Sequence, residues 1–374
     1  MKHKPSSLRL KAIGLALAGL AAAPAALALN IQFNDITPNG MTAAQLAAFN
    51  AAAQIWQNRL ADPVTVYLTI SFKNDGNNGI LGSTGSAYDE QSYTSIRNAL
   101  VADKKSALDN TATSHLQAGP SLAFQATNLD LTTRFDNDTN PCPATGPAVT
   151  CAYNNQNIAL TTANAKALGY AESTNAANPD GTISFNGFYA GQFDFTRGDG
   201  ISAGKYDFVS IAAHEIGHAL GFVSGVDDVD FCSPLTAARC ASFGINDKYS
   251  FEQFSVYSVL DLFRYSAAGV LDMRVGGRPY FSVDAGATQI EGFSNGSFNG
   301  SDGYQASHFR PGPQNLMNPY GFQGVAVDPT AADLAAFDAI GWDLAAAVPE
   351  PSTYALMLAG VAAVVSQARR RRAA

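Results

Sequence analysis

Charge is scarce in this chain. Only 14% of its residues are Asp, Glu, Lys or Arg, and 31 acidic groups face 23 basic ones, a net charge of −8. With no basic patch outside the two termini, nucleic acid is excluded as a partner. Histidine is scarcer: five in 374 residues, so any imidazole site has few candidates. There are four cysteines, and their spacings do not fit a metal-binding ribbon. Cys142 and Cys151 bracket one Pro/Gly-rich loop, and Cys232 and Cys240 bracket another. Two short-range disulfides in an oxidising compartment are the expected pairing. No EF-hand loop and no internal repeat is present. Gly, Ala, Ser, Thr and Asn are plentiful, the profile of an exported protein with many loops.

Against that background one stretch stands out. Residues 214–222 read HEIGHALGF. His214 and His218 are four apart, so on a helix they point the same way, one turn above the other. Two imidazoles so placed can hold a zinc ion from one side, with Glu215 beside the metal rather than on it. Zinc lowers the pKa of a water towards ~7, and a neighbouring carboxylate can take its proton as it attacks a carbonyl. Phe208, Val209, Ile211, Ala212, Ile216, Ala219 and Leu220 supply an apolar face for burying this helix. Asp207 is its expected N-cap, and Gly221 is where it can stop and turn sharply.

Three protein ligands and one open position make a catalytic zinc site. His3 lies in a leader, and His115 sits in the polar run TATSHLQAG without a partner pattern. His308 is left as the third donor, in ASHFRPGPQNLMNP, closely followed by Met317. Asp227, in SGVDDVD, and Glu291 are the rival ligands.

HExxHxxG followed by a third histidine and a methionine-bearing turn resembles the metzincin metallopeptidases. The commonest members place the third histidine three residues after the glycine, where this chain has Ser224. The long gap to His308 is more similar to the leishmanolysin-like branch. That resemblance implies zinc on His214, His218 and His308, Glu215 as general base, and Met317 as an apolar floor beneath the metal. It implies an α+β fold in two lobes: an N-terminal mixed sheet with the active-site helix, then an irregular C-terminal lobe with the methionine turn and a final helix. It covers the active-site helix to the last helix; the N-terminal half matches only in general architecture. Some members carry a tyrosine two residues after the methionine, but Tyr320 is three after Met317, so packing is its expected role. A cysteine-switch propeptide is not expected, since no cysteine lies between leader and core.

Both ends read as addresses. Lys2, Lys4, Arg9 and Lys11, the apolar Ala12–Ala23 and Ala26-Leu27-Ala28 form a signal peptide over 1–28. Val348-Pro349-Glu350-Pro351-Ser352, an apolar run to Val365 and Arg369–Arg372 resemble the PEP-CTERM sorting signal of Gram-negative bacteria. Its apolar run is short for a bilayer span, which needs about 20 residues; a plain tail anchor is the alternative. The expected partners are a protein or peptide substrate and the export and sorting machinery, with membrane contact only through residues 347–374. The expected location is outside the cell or on its outer surface.

Between the ends, residues 29–346 read as one catalytic domain with an insert over 223–307. Thr42–Leu60 has helical periodicity, with Leu46, Phe49, Ile55 and Trp56 on its apolar side, and Val64–Phe72 alternates as a strand. Residues 75–87 read as loop and edge structure, and Ser92–Leu108 as helix. Residues 182–195 hold strand-like pieces, which the resemblance would place at the cleft rim against an extended substrate. Phe251–Tyr265 reads as helix, Tyr280–Val283 as strand, and NGSFNGSDG as a flexible loop. Thr330–Ile340 reads as a capped helix leading to Gly341-Trp342. The reading that results is a secreted zinc endopeptidase; a non-catalytic surface or matrix protein with a structural zinc site is the alternative.

Overall fold

The computed structural model describes residues 29–127, 133–136, 156–232, 256–312 and 314–345. The leader, the C-terminal sorting segment, Cys142, Cys151 and Cys240 lie outside these residues; Cys232 is buried.

β1 (Asn30–Asp35) passes through α1 (Ala43–Gln57) to β2 (Thr65–Lys73), its parallel neighbour. The chain then forms β3 (Gly82–Ser86), β4 (Tyr88–Ser92), α2 (Tyr93–Asp103), α3 (Ala107–Ser114), β5 (Phe124–Thr127) and β6 (Thr133–Asp136). It continues through β7 (Asn157–Thr161) and α4 (Thr162–Ala167) to β8 (Gly181–Asn186). The first sheet has the order β1-β2-β8-β3, parallel except for β3, which runs antiparallel to β8 along the edge. After β9 (Phe193–Asp194) and β10 (Tyr206–Asp207) come α5 (Phe208–Ala219) and α6 (Val226–Cys232). Last are β11 (Arg264–Ala267), β12 (Val270–Met273), β13 (Tyr280–Phe281), β14 (Glu291–Gly292) and α7 (Ala331–Ala339). A second sheet has the order β14-β13-β11-β12-β5-β6. The fold is α+β with several sheets.

α1 and α5 pack together against the first sheet. Thr42 and Gln45 form the capping box that starts α1, and Phe49 and Trp56 are fully buried. The Phe49 ring meets those of Phe185 on β8 and Phe208 on α5 at 5.4 and 5.1 Å. Trp56 Nε1 donates to the Ala213 carbonyl at 2.8 Å, which fixes α1 along α5. Leu46, expected on the apolar side, is exposed. β2 alternates only at its start and is then buried continuously from Leu68 to Phe72, as a strand between parallel neighbours with both faces covered should be.

Several expectations are corrected. Ser92–Leu108 is not one helix: it breaks after Asp103, and Ser106 starts α3 with its own capping box to Asp109. From 256 onward, Phe251–Tyr265 is a short 3₁₀ turn, Leu260–Phe263, followed by β11. Leu260, Leu262 and Phe263 are all buried, so no solvent face exists for an amphipathic helix. The Tyr280–Val283 strand shrinks to Tyr280–Phe281. NGSFNGSDG is held rather than loose, because Asp230 accepts from the Phe298 and Asn299 N–H groups at 2.8 and 2.7 Å. Within 182–195, β8 is an internal strand; the edge belongs to β3, inside the region read as loop and edge.

Candidate metal centre

α5 begins as expected. Asp207 accepts from the Val209 and Ser210 N–H groups and pairs with Arg197 at 2.6 Å, which neutralises a carboxylate buried at the helix start. The helix ends at Gly221, whose φ of +118° suits glycine. There the Phe222 N–H reaches the Gly217 carbonyl and the Gly221 N–H the His218 carbonyl, both at 3.1 Å. This left-handed turn swings the Phe222 carbonyl back over the helix, where His218 Nδ1 donates to it at 2.7 Å. The glycine therefore sets the ring as well as the helix end.

The other two imidazoles are held in the same manner. His214 Nδ1 donates to the Leu316 carbonyl at 2.8 Å, and His308 Nδ1 more loosely to the Gln305 carbonyl at 3.3 Å. A carbonyl oxygen can only accept, so each Nδ1 carries a proton and each Nε2 presents a lone pair. The Nε2 atoms lie 3.0 Å (His214–His218), 3.2 Å (His218–His308) and 3.3 Å (His214–His308) apart. Burial holds His214 down at about 4. Burial, with His214 beside it, holds His218 at about 3, and burial keeps His308 well below its ordinary value. Three neutral lone pairs facing one another repel unless a cation sits between them. Zn–N bonds of 2.0–2.1 Å in a tetrahedron imply N···N separations of about 3.3–3.4 Å. The His214–His308 separation of 3.3 Å meets that requirement, and the other two, at 3.0 and 3.2 Å, are slightly shorter, so the triangle would open by a few tenths of an ångström around the ion.

Met317, fully buried, lies against α5 at Gly217: a Cβ there would fall 2.6 Å from its Sδ. Asp333, which with the N-cap Thr330 forms the capping box of α7, accepts from the Leu316 and Met317 N–H groups at 2.9 and 3.0 Å. That grip presents the Leu316 carbonyl to His214. Trp342 Nε1 donates to the Leu220 carbonyl at 2.8 Å, closing the far end of α5.

Glu215 is buried beside the triad. Thr84 Oγ1, on edge strand β3, lies 2.7 Å from Glu215 Oε2 and 2.9 Å from its backbone oxygen. Burial pushes the Glu215 carboxyl up to about 7, and the Thr84 hydrogen bond opposes that rise. Gly82 leaves the space the carboxylate needs, since a Cβ there would sit 3.1 Å from Glu215 Oε1. The triad, Glu215 and β3 all face one cleft of ≈ 690 Å³.

The rival ligands do not join the triad, although Asp227 lines the same cleft. Asp227 accepts from the Ala306 and Ser307 N–H groups at 2.5 and 3.0 Å. Glu291 accepts from the Gly292 N–H and the Asn315 amide at 2.8 and 3.0 Å. Ser224 donates to Asp261 at 2.6 Å. Among the described residues, only His214, His218 and His308 converge here; His115 is an exposed cap of α3. Tyr320, expected to pack, has the rings of Tyr304 and Phe322 at 6.0 and 5.3 Å and is part-exposed on the cleft wall. Sequence reasoning missed Thr84, Gly217 and the second role of Asp333, read only as part of a helix cap but also holding the Leu316 and Met317 N–H groups. Of the two residues missed outright only Gly217 left a signal: a glycine inside a helix usually has a packing reason.

Residues 347–372 match the PEP-CTERM protein-sorting motif, as the C-terminal pattern suggested. The motif marks an exported bacterial protein that is sorted at the cell surface by dedicated export machinery. Among the described residues no helix is long and apolar enough to cross a membrane. No curated protein and no solved structure matches the chain.

Proposed function

We propose that the protein is an exported zinc endopeptidase of metzincin type, with residues 29–346 as its catalytic domain. On this reading the first sheet with α5 forms the upper lobe of the cleft, and the methionine turn with α7 forms the lower. The observation that carries the proposal is the triad of neutral imidazoles with converging Nε2 atoms on the floor of a cleft. His214, His218 and His308 would hold the zinc, which supplies a Lewis acid for the scissile carbonyl and lowers the pKa of water.

The chain's own residues do the rest. Glu215, beside the ligands in the cleft and gripped by Thr84, accepts a proton from the attacking water and returns it to the leaving amine. β3 has an open edge in its sheet and lines the cleft, so an extended peptide can pair with its backbone whatever the side chains are. The buried carboxylate also argues against a purely structural site, which would be closed by a fourth protein ligand. Only three donors gather here among the described residues.

The test is digestion of casein by the purified protein, with and without a chelator, alongside Glu215→Gln. The variant should keep its zinc and lose hydrolysis by about 10²–10⁴-fold, and the chelator should abolish activity in the parent. A zinc-loaded parent that cleaves no protein would replace this reading with the structural-zinc alternative, and a fully active Glu215→Gln would overturn the role of Glu215 as the base.

A further inference from the structure

His308 is separated from His218 by the whole insert, so neither helix geometry nor chain proximity positions it. The peptide just before it is gripped from two sides. Asp227, in the first turn of α6, takes two successive N–H groups, from Ala306 at 2.5 Å and Ser307 at 3.0 Å. Arg264, fully buried at the start of β11, donates to the Ala306 carbonyl at 3.1 Å and the Ser294 carbonyl at 2.6 Å. Ser294 in turn donates its N–H to the His308 carbonyl at 3.0 Å. By contrast, the direct restraint on the His308 ring, Nδ1 to Gln305, is the longest of the three at 3.3 Å.

We infer that Asp227 is a positioning residue for the third ligand. With Arg264 it fixes the backbone of 306–308 so that His308 Nε2 completes the triangle. The inference rests on the metal-centre reading above. It also explains what the insert contributes, since α6 and β11 carry the two halves of the grip.

A control lies on the same helix. Asp230 makes an equivalent pair of bonds, to the Phe298 and Asn299 N–H groups, but on a loop that holds no ligand. Asn keeps one acceptor and turns an N–H₂ towards the second donor, so Asp227→Asn and Asp230→Asn each break a similar grip. Zinc affinity by competition and the visible absorption of the cobalt(II)-loaded full chain are measured for both. Asp227→Asn is expected to weaken zinc about 10–100-fold and to alter the cobalt spectrum as one nitrogen is loosened. Asp230→Asn is expected to shift zinc affinity by less than about threefold with an unchanged spectrum, whatever it does to the unfolding temperature.

Parent-like affinity and spectrum in Asp227→Asn overturn the inference, as does equal weakening by Asp230→Asn, which would make both merely structural. Should Asp227→Asn fail to fold, Asp227→Glu, which displaces the carboxylate by one methylene, is read by the same criteria. A parent chain that takes up neither zinc nor cobalt sinks the metal-centre reading itself, a result distinct from the others.

Discussion

Replacing Thr84 with Val tests whether the edge strand tunes the proposed base. The substitution is isosteric and removes one hydroxyl from β3. Glu215 then loses the 2.7 Å hydrogen bond to its Oε2 while staying buried. A hydrogen bond to a charged group contributes about 1.5–3 kcal/mol, and 1.36 kcal/mol corresponds to one pKa unit. The full effect would be one to two units, but the Thr84 hydroxyl has one proton and also lies 2.9 Å from the Glu215 backbone oxygen. Shared between two acceptors, the bond is expected to be worth about 0.5–1.5 units. The bond favours the ionised carboxylate, so its loss raises the pKa of a group that burial already pushes to about 7. A base must be ionised to act. The acid limb of kcat/KM against pH should therefore move upward by that amount in Thr84→Val, with the alkaline plateau within about threefold of the parent, while Thr84→Ser keeps the parent profile. An acid limb that does not move, or one that moves to lower pH, refutes the argument.

Gly217→Ala reverses the usual sign of a helix-interior substitution. Ala normally gains about 1 kcal/mol over Gly, but here its Cβ meets Met317 Sδ at 2.6 Å and Trp56 Cζ2 at 3.3 Å. Denaturant unfolding should show a net loss of about 1–2 kcal/mol, which should shrink when Gly217→Ala is made and measured against a Met317→Ala background; a more stable Gly217→Ala chain would show that the packing has slack. Asp62 is a pH effect remote from the cleft. Burial, with the charge of Asp343, raises its pKa from 3.8 to about 7, so the folded state keeps a proton that the unfolded chain loses. That contribution is fully present below about pH 4 and is lost as pH rises towards 7. In chelator, to remove metal linkage, the parent should lose about 1–3 kcal/mol more than Asp62→Asn between pH 5 and 8; equal slopes in the two chains would refute it.

The ends of the structural elements were legible because their signals are local. Asp207, Thr330 with Asp333, and Gly221 lie within a few residues of the helices they start or stop, and each does what its chemistry suggests. His214 and His218 could be placed on one face, with Glu215 beside them, for the same reason. His308 was reachable by elimination among five histidines, an argument from scarcity. What the sequence concealed is what acts across distance. Asp227 looked like a ligand because an acidic residue soon after the helix can reach back. Whether it meets a metal or two backbone N–H groups depends on residues 79 and 80 positions later. The same device recurs: Asp333 on Leu316 and Met317, and Asp261 on Gly225 and Ser258. Each carboxylate takes two N–H groups from irregular backbone that has no ladder to satisfy them. In a chain only 14% charged, several aspartates are committed to stiffening the loops around the cleft. Such a loop can carry the proposed third ligand without a helix to support it, which is how a triangle of imidazoles assembles across ninety residues.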